Sequence, residues 1–244
     1  MTTSTEPARP AAVLWDMDGT LLDSEKLWDI AVAELSERHG YVMTPELRES
    51  TLGNSMSDAL TKVFDASGVP VDERDYAADE RWLLDRVAQL FSVDLPWRPG
   101  ALEALTTIFD AGIPMALVTN TVRELTDQAL GTIGPHFFAV TLCGDEVEFG
   151  KPAPDPYLRA ATLLGVEASQ CVAVEDSPTG TQSAVSAGCT TIVVPSAADV
   201  PAGPRRRFRR SLDGLTIIDL ARHDQSFGDP VSRSHVRAWD NRHP

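Results

Sequence analysis

The sequence predicts an α/β fold, in which a Rossmann-like, doubly wound parallel sheet carries an inserted α-helical cap domain. Short apolar runs recur along the chain, as expected for strands that are buried on both faces of a parallel sheet. Three of these runs follow a helical pattern, and strands that alternate with helices form right-handed βαβ units. With 244 residues, of which 43% are apolar, the chain is long enough for one such domain and a smaller insert.

Polar motifs follow three of the predicted strands. The motifs DMDGT, VTNT and VEDS each begin where an apolar run ends. Because doubly wound sheets bind ligands at the carboxyl ends of their strands, the chemistry is expected there. The strands are predicted within residues 11–15, 113–120, 137–143, 171–176 and 190–195.

The segment after the first predicted strand differs from the rest of the chain. Residues 24–96 show long helical patterns and no convincing strand, which predicts a helical cap. The catalytic core is then expected to comprise residues 11–23 and 97–221. Residues 1–10 are predicted to be a disordered leader, and residues 222–244 a poorly ordered tail, because the tail is polar and lacks periodicity.

Composition excludes several classes of partner. The chain has 36 acidic and 21 basic residues, and a net charge of -15 repels nucleic acid. No apolar run approaches the roughly 20 residues of a membrane helix, and residues 1–10 lack the apolar region of a signal peptide. Three cysteines without CxxC spacing fit buried thiols in a reducing compartment. We therefore expect a cytoplasmic protein that binds neither nucleic acid nor membranes.

Asp16 and Asp18 form the first candidate site. They lie two residues apart at a predicted strand end, and Gly19 gives the backbone room to turn, so both carboxylates can face one crevice. A hard divalent cation relieves the repulsion between such carboxylates, and Mg²⁺ suits a site with few carboxylates and a substrate phosphate. The alternative interpretation is a plain turn after a strand, since Asp and Gly are common turn residues.

A second acidic pair, Glu175 and Asp176, ends another apolar run. The sequence SPTG follows and predicts the start of a helix, whose free amides favour anions. Acidic residues at two strand ends suggest a shared metal ion. The alternative is that Asp176 or Ser177 only caps this helix.

Thr119, Asn120 and Lys151 are candidate phosphate ligands. Thr119 and Asn120 end a predicted strand and offer a hydroxyl, an amide and backbone N–H groups, although they would also suit a helix cap. Lys151 is held between Gly150 and Pro152, where its ammonium could hold phosphate and the first aspartate together. For a lone lysine, a solvated surface position is the more common alternative.

Four motifs occur in the order found in the haloacid dehalogenase superfamily of phosphohydrolases, which the chain resembles. They are DMDGT (16–20), VTN (118–120), GKPAPDPY (150–157) and VEDSPTG (174–180). The resemblance covers about residues 11–221, and the inserted helices look like the small helical cap of the β-phosphoglucomutase-like branch. It implies the Rossmann-like core and phosphoryl-transfer chemistry.

The resemblance implies a role for each motif residue. Asp16 would be the nucleophile that forms an aspartyl-phosphate, and Asp18 would protonate the leaving alkoxide and then activate water. The true dehalogenases of the family lack the second aspartate and need no metal, so Asp18 argues for phosphoryl transfer. The phosphoryl group would be bound by Thr119, Asn120 and Lys151, and Mg²⁺ would be held by Asp16, the Asp18 backbone carbonyl and Asp176, helped by Glu175.

The helical insert is expected to select the substrate. Mutases of this branch have a histidine and an arginine where this chain has Trp28 and Met56. The sequence DSEKLW instead looks like the sugar- and polyol-phosphate phosphatases of the branch, in which the residues matching Glu25 and Trp28 face the active site. A sugar ring could stack on Trp28, although a tryptophan at helical spacing is more often part of a core.

The sequence therefore predicts a Mg²⁺-dependent phosphatase of a small phosphorylated metabolite, such as a sugar phosphate, a polyol phosphate or phosphoglycolate. Two alternatives remain open: a sugar-phosphate mutase, and a non-catalytic phospho-signalling protein in which Asp16 is only phosphorylated. Five arginines between Arg205 and Arg210 could bind anions, but a solvated loop edge is the favoured interpretation.

Overall fold

The computed structural model describes residues 9–51, 56–196 and 198–221 and contains one parallel sheet. The sheet has six strands in the order β3-β2-β1-β4-β5-β6, so that β1 and β4 lie at its centre. This architecture confirms the predicted fold class. The predicted tail and residues 1–8 of the leader lie outside the described residues. The strands are β1 Ala12–Trp15, β2 Met115–Val118, β3 Val140–Leu142, β4 Cys171–Glu175, β5 Thr190–Val193 and β6 Arg206–Phe208.

The first four α-helices all follow β1 and precede β2. They are α1 Glu25–Arg38, α2 Pro45–Thr51, α3 Met56–Ser67 and α4 Tyr76–Val93, and α1 packs against α4. None of the six strands falls within the described part of residues 24–96, a segment that we propose to be the cap. The remaining helices are α5 Ala101–Asp110, α6 Arg123–Ile133, α7 Asp155–Leu163, α8 Pro178–Ser186 and α9 Ile217–Leu220.

Both faces of the central strand β1 are covered. Val13 and Trp15 pack into the larger apolar cluster, which includes residues of α1, α3, α4, α5 and α6. Ala12 and Leu14 point to the opposite face and pack with residues of α7 and α8, such as Tyr157. This alternation follows from the two-residue period of a strand and explains why the run has no polar position. In the described segments, no helix combines the length and the apolar character needed to span a bilayer.

The arginine-rich segment is part of the sheet, so the prediction of a loop edge is wrong for residues 206–208. Arg206–Phe208 forms the edge strand β6 and pairs in parallel with β5. The Arg207 guanidinium donates to the carbonyl oxygens of Ala221 (3.1 Å) and Asp219, and Arg209 forms an ion pair with Asp219 at 3.2 Å. Arg207 thus joins β6 to the segment around α9 through its hydrogen bonds to carbonyl groups, and Arg209 does so through its ion pair.

Candidate active site

A cavity of about 740 Å³ opens between the carboxyl ends of the strands and the helices α1–α4. All the predicted site residues except Glu175 line it, and Glu175 is buried beneath its floor. The site residues come together because β1, β2 and β4 are neighbours that all point the same way. The predicted residues in its lining are Asp16, Asp18, Glu25, Trp28, Thr119, Asn120, Lys151 and Asp176.

Asp16 lies at the end of β1 and is only 6% exposed. Its Oδ1 atom accepts a hydrogen bond from Lys151 Nζ at 2.6 Å. Its Oδ2 atom is buried and has no hydrogen-bond partner among the described residues. Since buried carboxylate oxygens are almost always hydrogen-bonded, this atom is suited to contact a group that enters the cavity.

Lys151 is buried between two carboxylates, so a solvated surface position is excluded. Its Nζ atom contacts Glu175 Oε1 at 2.7 Å as well as Asp16, and it lies 5.3 Å from the centre of the Tyr157 ring. Burial alone would lower the pKa of Lys151, but the charges of Asp16 and Glu175 outweigh it and raise the pKa. Lys151 therefore remains a fixed positive charge beside Asp16.

Both carboxylate oxygens of Glu175 accept hydrogen bonds. Lys151 and the Tyr157 hydroxyl (2.6 Å) donate to Oε1, and the Asp176 N–H (3.3 Å) and the Ser177 hydroxyl (3.4 Å) donate to Oε2. Burial, with the nearby charge of Asp16, raises the pKa of Glu175 to about 7. The ion pair with Glu175 thus fixes the position of Lys151, and the help of Glu175 in holding Mg²⁺ stays a prediction.

Asp176 faces the cavity and does not cap the following helix. Ser177 is the N-cap of α8, since its hydroxyl accepts from the Gly180 N–H at 3.0 Å. The Asp176 carboxylate instead accepts from the hydroxyls of Thr20 (3.4 Å) and Ser196. Burial and the charges of Asp16 and Glu175 raise the pKa of Asp176 well above its usual value. This carboxylate is therefore held close to others of the same charge.

The carboxylates at this point fit a divalent cation. One oxygen from each of Asp16, Glu175 and Asp176 lies within 4.8 Å of the others. Carboxylate oxygens are hard ligands, and a cation would offset the repulsion between like charges that adds to the effect of burial on the pKa of Asp176. With Glu175 bound to Lys151, the two aspartates are the side chains best placed to coordinate it.

Gly19 allows the loop after β1 to pass close to this cluster. Its φ of +81° lies in the left-handed region, and a Cβ atom there would lie 2.2 Å from Asp176 Oδ2. Any side chain at this position would displace the Asp176 carboxylate. The glycine of the DMDGT motif is therefore needed for the site as well as for the turn.

Asp18 is held by donors from both the core and the helical insert. Its Oδ1 atom accepts from the Ser24 hydroxyl (2.6 Å) and from Trp28 Nε1 (3.4 Å). Its Oδ2 atom accepts from the hydroxyls of Thr121 (2.7 Å) and Thr119 (3.3 Å). Burial raises the pKa of Asp18, the charge of Asp16 adds to the increase, and these hydrogen bonds oppose it. Such a carboxyl is suited to exchange protons.

Thr121 and Ser24 were not predicted as site residues, although both bind Asp18. A hydroxyl in a loop has no sequence signal of its own, because serine and threonine serve equally often as turn or cap residues. Thr121 lies in the quoted VTNT motif, and Ser24 in DSEKLW. Only the folding of the chain brings the two hydroxyls onto one carboxylate.

Replacing Thr121 by valine is expected to reduce kcat/KM by about tenfold, because a hydrogen bond to a charged group contributes about 1.5–3 kcal/mol. Thr121→Ser keeps the hydroxyl and is expected to retain most of the activity. The comparison is made by steady-state phosphate release with both variants. If serine does not restore what valine loses, the hydroxyl does not orient Asp18.

Asn120 contacts the protein differently from the prediction. Its side-chain Oδ1 accepts from the Lys151 N–H at 2.8 Å, and its Nδ2 donates to the Lys151 carbonyl at 3.1 Å. These contacts use Oδ1 and one of the two Nδ2 hydrogens to fix the lysine loop, and the contact of Asn120 with a phosphoryl oxygen stays a prediction. The pair Thr119–Asn120 also does not cap α6, whose N-cap is Val122.

Glu25 and Trp28 both reach the cavity from the start of α1. Trp28 packs against the larger apolar cluster, as the core interpretation predicts, and it also lines the cavity and donates to Asp18, while the stacking of a sugar ring on it stays a prediction. Burial raises the pKa of Glu25, while a hydrogen bond with Ser196 and the charge of Arg98 oppose the increase. The insert therefore brings an aromatic ring and a carboxyl group to the cavity.

Comparison of the sequence with known proteins agrees with the family resemblance that the four motifs indicate. A sequence profile described as haloacid dehalogenase-like hydrolase matches residues 13–194. Hexitol phosphatase A from Escherichia coli (strain K12) is 34% identical over 191 residues, which are 77% of this chain and 84% of that protein. A phosphorylated carbohydrates phosphatase from Thermotoga maritima is 31% identical over 74% of this chain and 83% of its own length.

A solved structure agrees with the fold. The crystal structure of CbbY from Rhodobacter sphaeroides in complex with phosphate is 27% identical and superposes with a TM-score of 0.75. The match covers 84% of this chain and 96% of the CbbY chain. The similarity thus extends over both the sheet and most of the remaining chain.

Proposed function

The chain belongs to the haloacid dehalogenase-like hydrolases, is a phosphoric monoester hydrolase, and, we propose, uses Mg²⁺ to release phosphate from a small sugar or polyol phosphate. The observation that supports this proposal most directly is the buried, partnerless Oδ2 of Asp16 beside the Lys151 ammonium. A nucleophile needs such a free oxygen, and a cation beside it attracts the phosphoryl group. The names of the two curated relatives support the substrate class.

In the proposed reaction, Asp16 Oδ2 attacks the phosphorus atom and the bond from phosphorus to the ester oxygen breaks. Asp18 gives its proton to the leaving alkoxide. Asp18 then takes a proton from water, whose oxygen attacks phosphorus and releases Asp16 and inorganic phosphate. The Lys151 ammonium stabilises the charge on the phosphoryl oxygens in both steps.

The metal ligands that we propose are the carboxylates of Asp16 and Asp176 and the backbone carbonyl of Asp18. When bound, Mg²⁺ offsets the negative charge of the carboxylates and of the transferring phosphoryl group. Glu175 would contribute through its charge and its contact with Lys151. Thr119 would donate to a phosphoryl oxygen once Asp18 turns toward the substrate, whereas Asn120 would act through its contacts with the Lys151 backbone.

Residues 24–96 are proposed to act as a cap that excludes bulk water during the reaction. Trp28 and Glu25 would contact the sugar or polyol part of the substrate. A mutase is disfavoured because Trp28 and Met56 replace the histidine and arginine that the resemblance implies for mutases. The three cysteines are all buried, which supports the proposal of a cytoplasmic location.

The proposed function is tested by phosphate release from a panel of sugar phosphates, polyol phosphates, phosphoglycolate and nucleotides. Release from a sugar or polyol phosphate is expected with Mg²⁺, and loss of at least about 100-fold is expected with EDTA, because the phosphoryl charge is then not offset. Formation of a phosphate isomer without free phosphate would identify a mutase. A stable aspartyl-phosphate without turnover would instead indicate the signalling protein.

Replacing Asp176 by asparagine is expected to raise the Mg²⁺ concentration for half-maximal activity by about 10–100-fold, because a charged ligand becomes neutral. The measurement is a Mg²⁺ titration of kcat/KM. Asp199→Asn is the matched control, since Asp199 also lines the cavity but is exposed and outside the carboxylate cluster. An unchanged Mg²⁺ requirement in Asp176→Asn would exclude this residue as a ligand.

A further inference from the structure

The part of the cavity lining that comes from α1, α2 and the segment after β5 is acidic. It contains four carboxylates, those of Glu25 and Asp29 of α1, Glu49 of α2 and Asp199. Glu49 and Asp199 are exposed to solvent, whereas Asp29 is half-buried. A group that extends from a bound phosphoryl ester into this part of the cavity would therefore meet carboxylates.

In the described lining of the cavity, positive charge is found beside the reacting residues. Lys151 is the one Lys or Arg among the described residues that line it, and this lysine already contacts Asp16 and Glu175. Residues 52–55 read Leu-Gly-Asn-Ser and residue 197 is alanine, so these parts of the sequence add no basic side chain. Two arginines near the cavity have carboxylate partners: Arg48 pairs with Asp29, and Arg98 with Asp23 at 3.7 Å.

Most of the remaining lining from the helices is apolar. It is formed by Val32 of α1, Met56 and Ala59 of α3, and Leu83 and Leu84 of α4, with the Thr51 hydroxyl of α2 beside them. An apolar surface next to carboxylates suits a carbon skeleton that carries hydroxyl groups, since carboxylates accept hydrogen bonds from hydroxyls. Among these described residues of the helices, none offers a positive charge to a second phosphate or to a carboxylate.

We propose that the substrate carries its phosphoryl group as its only anion, on a hydroxyl-rich group that is either neutral or bears an ammonium. This inference rests on the proposed phosphatase function and narrows it, because it removes phosphoglycolate, sugar bisphosphates and sugar-acid phosphates from the candidates. Like charges several ångströms apart in a partly solvated cavity repel enough to change binding by about tenfold per pair. The discrimination decreases as the salt concentration rises, because two of the carboxylates are exposed.

The test compares pairs of esters that differ by one functional group away from the phosphate. Sorbitol 6-phosphate has a hydroxyl group at carbon 1 where 6-phosphogluconate has a carboxylate, and glucose 6-phosphate has a hydroxyl group at carbon 2 where glucosamine 6-phosphate has an ammonium group. We expect kcat/KM for 6-phosphogluconate to lie at least about tenfold below that for sorbitol 6-phosphate, and glucosamine 6-phosphate to be at least as good as glucose 6-phosphate. Equal values for sorbitol 6-phosphate and 6-phosphogluconate would overturn the inference and leave the phosphatase function intact.

Two charge-reversing variants of α2 test whether the discrimination against a second anion comes from the cavity lining. Glu49→Lys places a cation at the cavity, whereas Glu46→Lys makes the same change of net charge at an exposed residue of α2 outside the cavity lining. Glu49→Lys is expected to raise the ratio of kcat/KM for 6-phosphogluconate over sorbitol 6-phosphate by about tenfold, and Glu46→Lys by less than about threefold. If Glu49→Lys and Glu46→Lys change this ratio equally, the carboxylates of the cavity lining do not cause the discrimination. Failure to release phosphate from any of the esters would refute the proposed function itself.

Discussion

Replacing Asp16 by asparagine is expected to reduce phosphate release by at least about 10⁴-fold, because an amide oxygen is too weak a nucleophile to form the phosphoryl-enzyme. The effect should be on kcat, since Lys151 and the other donors that bind the phosphoryl group remain. Discontinuous phosphate assays at saturating substrate and Mg²⁺ measure it. Activity within about tenfold of the unchanged protein would exclude the covalent mechanism.

The fold should survive this substitution. Asp16 adds to the raised pKa values of Asp18, Glu175 and Asp176 through its charge, so a neutral residue removes repulsion within the buried cluster. The substitution also weakens the contact of residue 16 with Lys151, but Lys151 keeps its ion pair with Glu175. The midpoint of thermal unfolding in EDTA is therefore expected to stay equal or to rise, as often happens when an active-site charge is removed. Asp110→Asn, at an exposed position at the end of α5, is the control for a plain loss of charge. A large fall in the midpoint would mean that lost activity reflects unfolding.

The sheet was predictable because its central strands are buried on both faces. Such strands are apolar along most of their length, so AVLW and the first four residues of CVAVE appear as continuous apolar runs in the sequence. The edge strand β6 was missed because it is only three residues long and reads Arg-Arg-Phe. Its arginines extend to carbonyl groups near α9, and no local pattern contains that information.

The sequence predicts the site residues that follow the ends of strands. It does not predict the contacts that depend on the direction in which a side chain points. Asp16 and Asp176 follow neighbouring parallel strands, so topology alone brings them together. The direction of the Asn120 amide depends on the lysine loop, which is 31 residues away in the chain. The Tyr157 hydroxyl binds Glu175 for the same kind of reason: α7 packs next to the sheet and brings it there. These contacts form only when the tertiary structure does.

Replacing Asp18 by asparagine is expected to reduce turnover of a sugar or polyol phosphate by about 10²–10⁴-fold, because general acid–base help of this size is lost. Asparagine keeps hydrogen-bonding atoms for Ser24 and Thr121, so the loop after β1 should keep its position. An alkoxide is a poor leaving group without a proton, and water is a poor nucleophile unless a proton is removed. Both half-reactions should therefore be slow with an alkyl phosphate.

An aryl ester separates the two half-reactions in Asp18→Asn. The p-nitrophenolate ion leaves without a proton, so formation of the phosphoryl-enzyme should remain fast while its hydrolysis is slow. Stopped-flow absorbance is then expected to show a burst of about one p-nitrophenolate per active site, followed by slow turnover. The double variant Asp16→Asn/Asp18→Asn should give no burst, because it has no nucleophile. If Asp18→Asn is slow with the aryl ester and shows no burst, Asp18 is needed before the proton transfer, to position Asp16 or the phosphoryl group, and the acid–base role proposed for it is wrong.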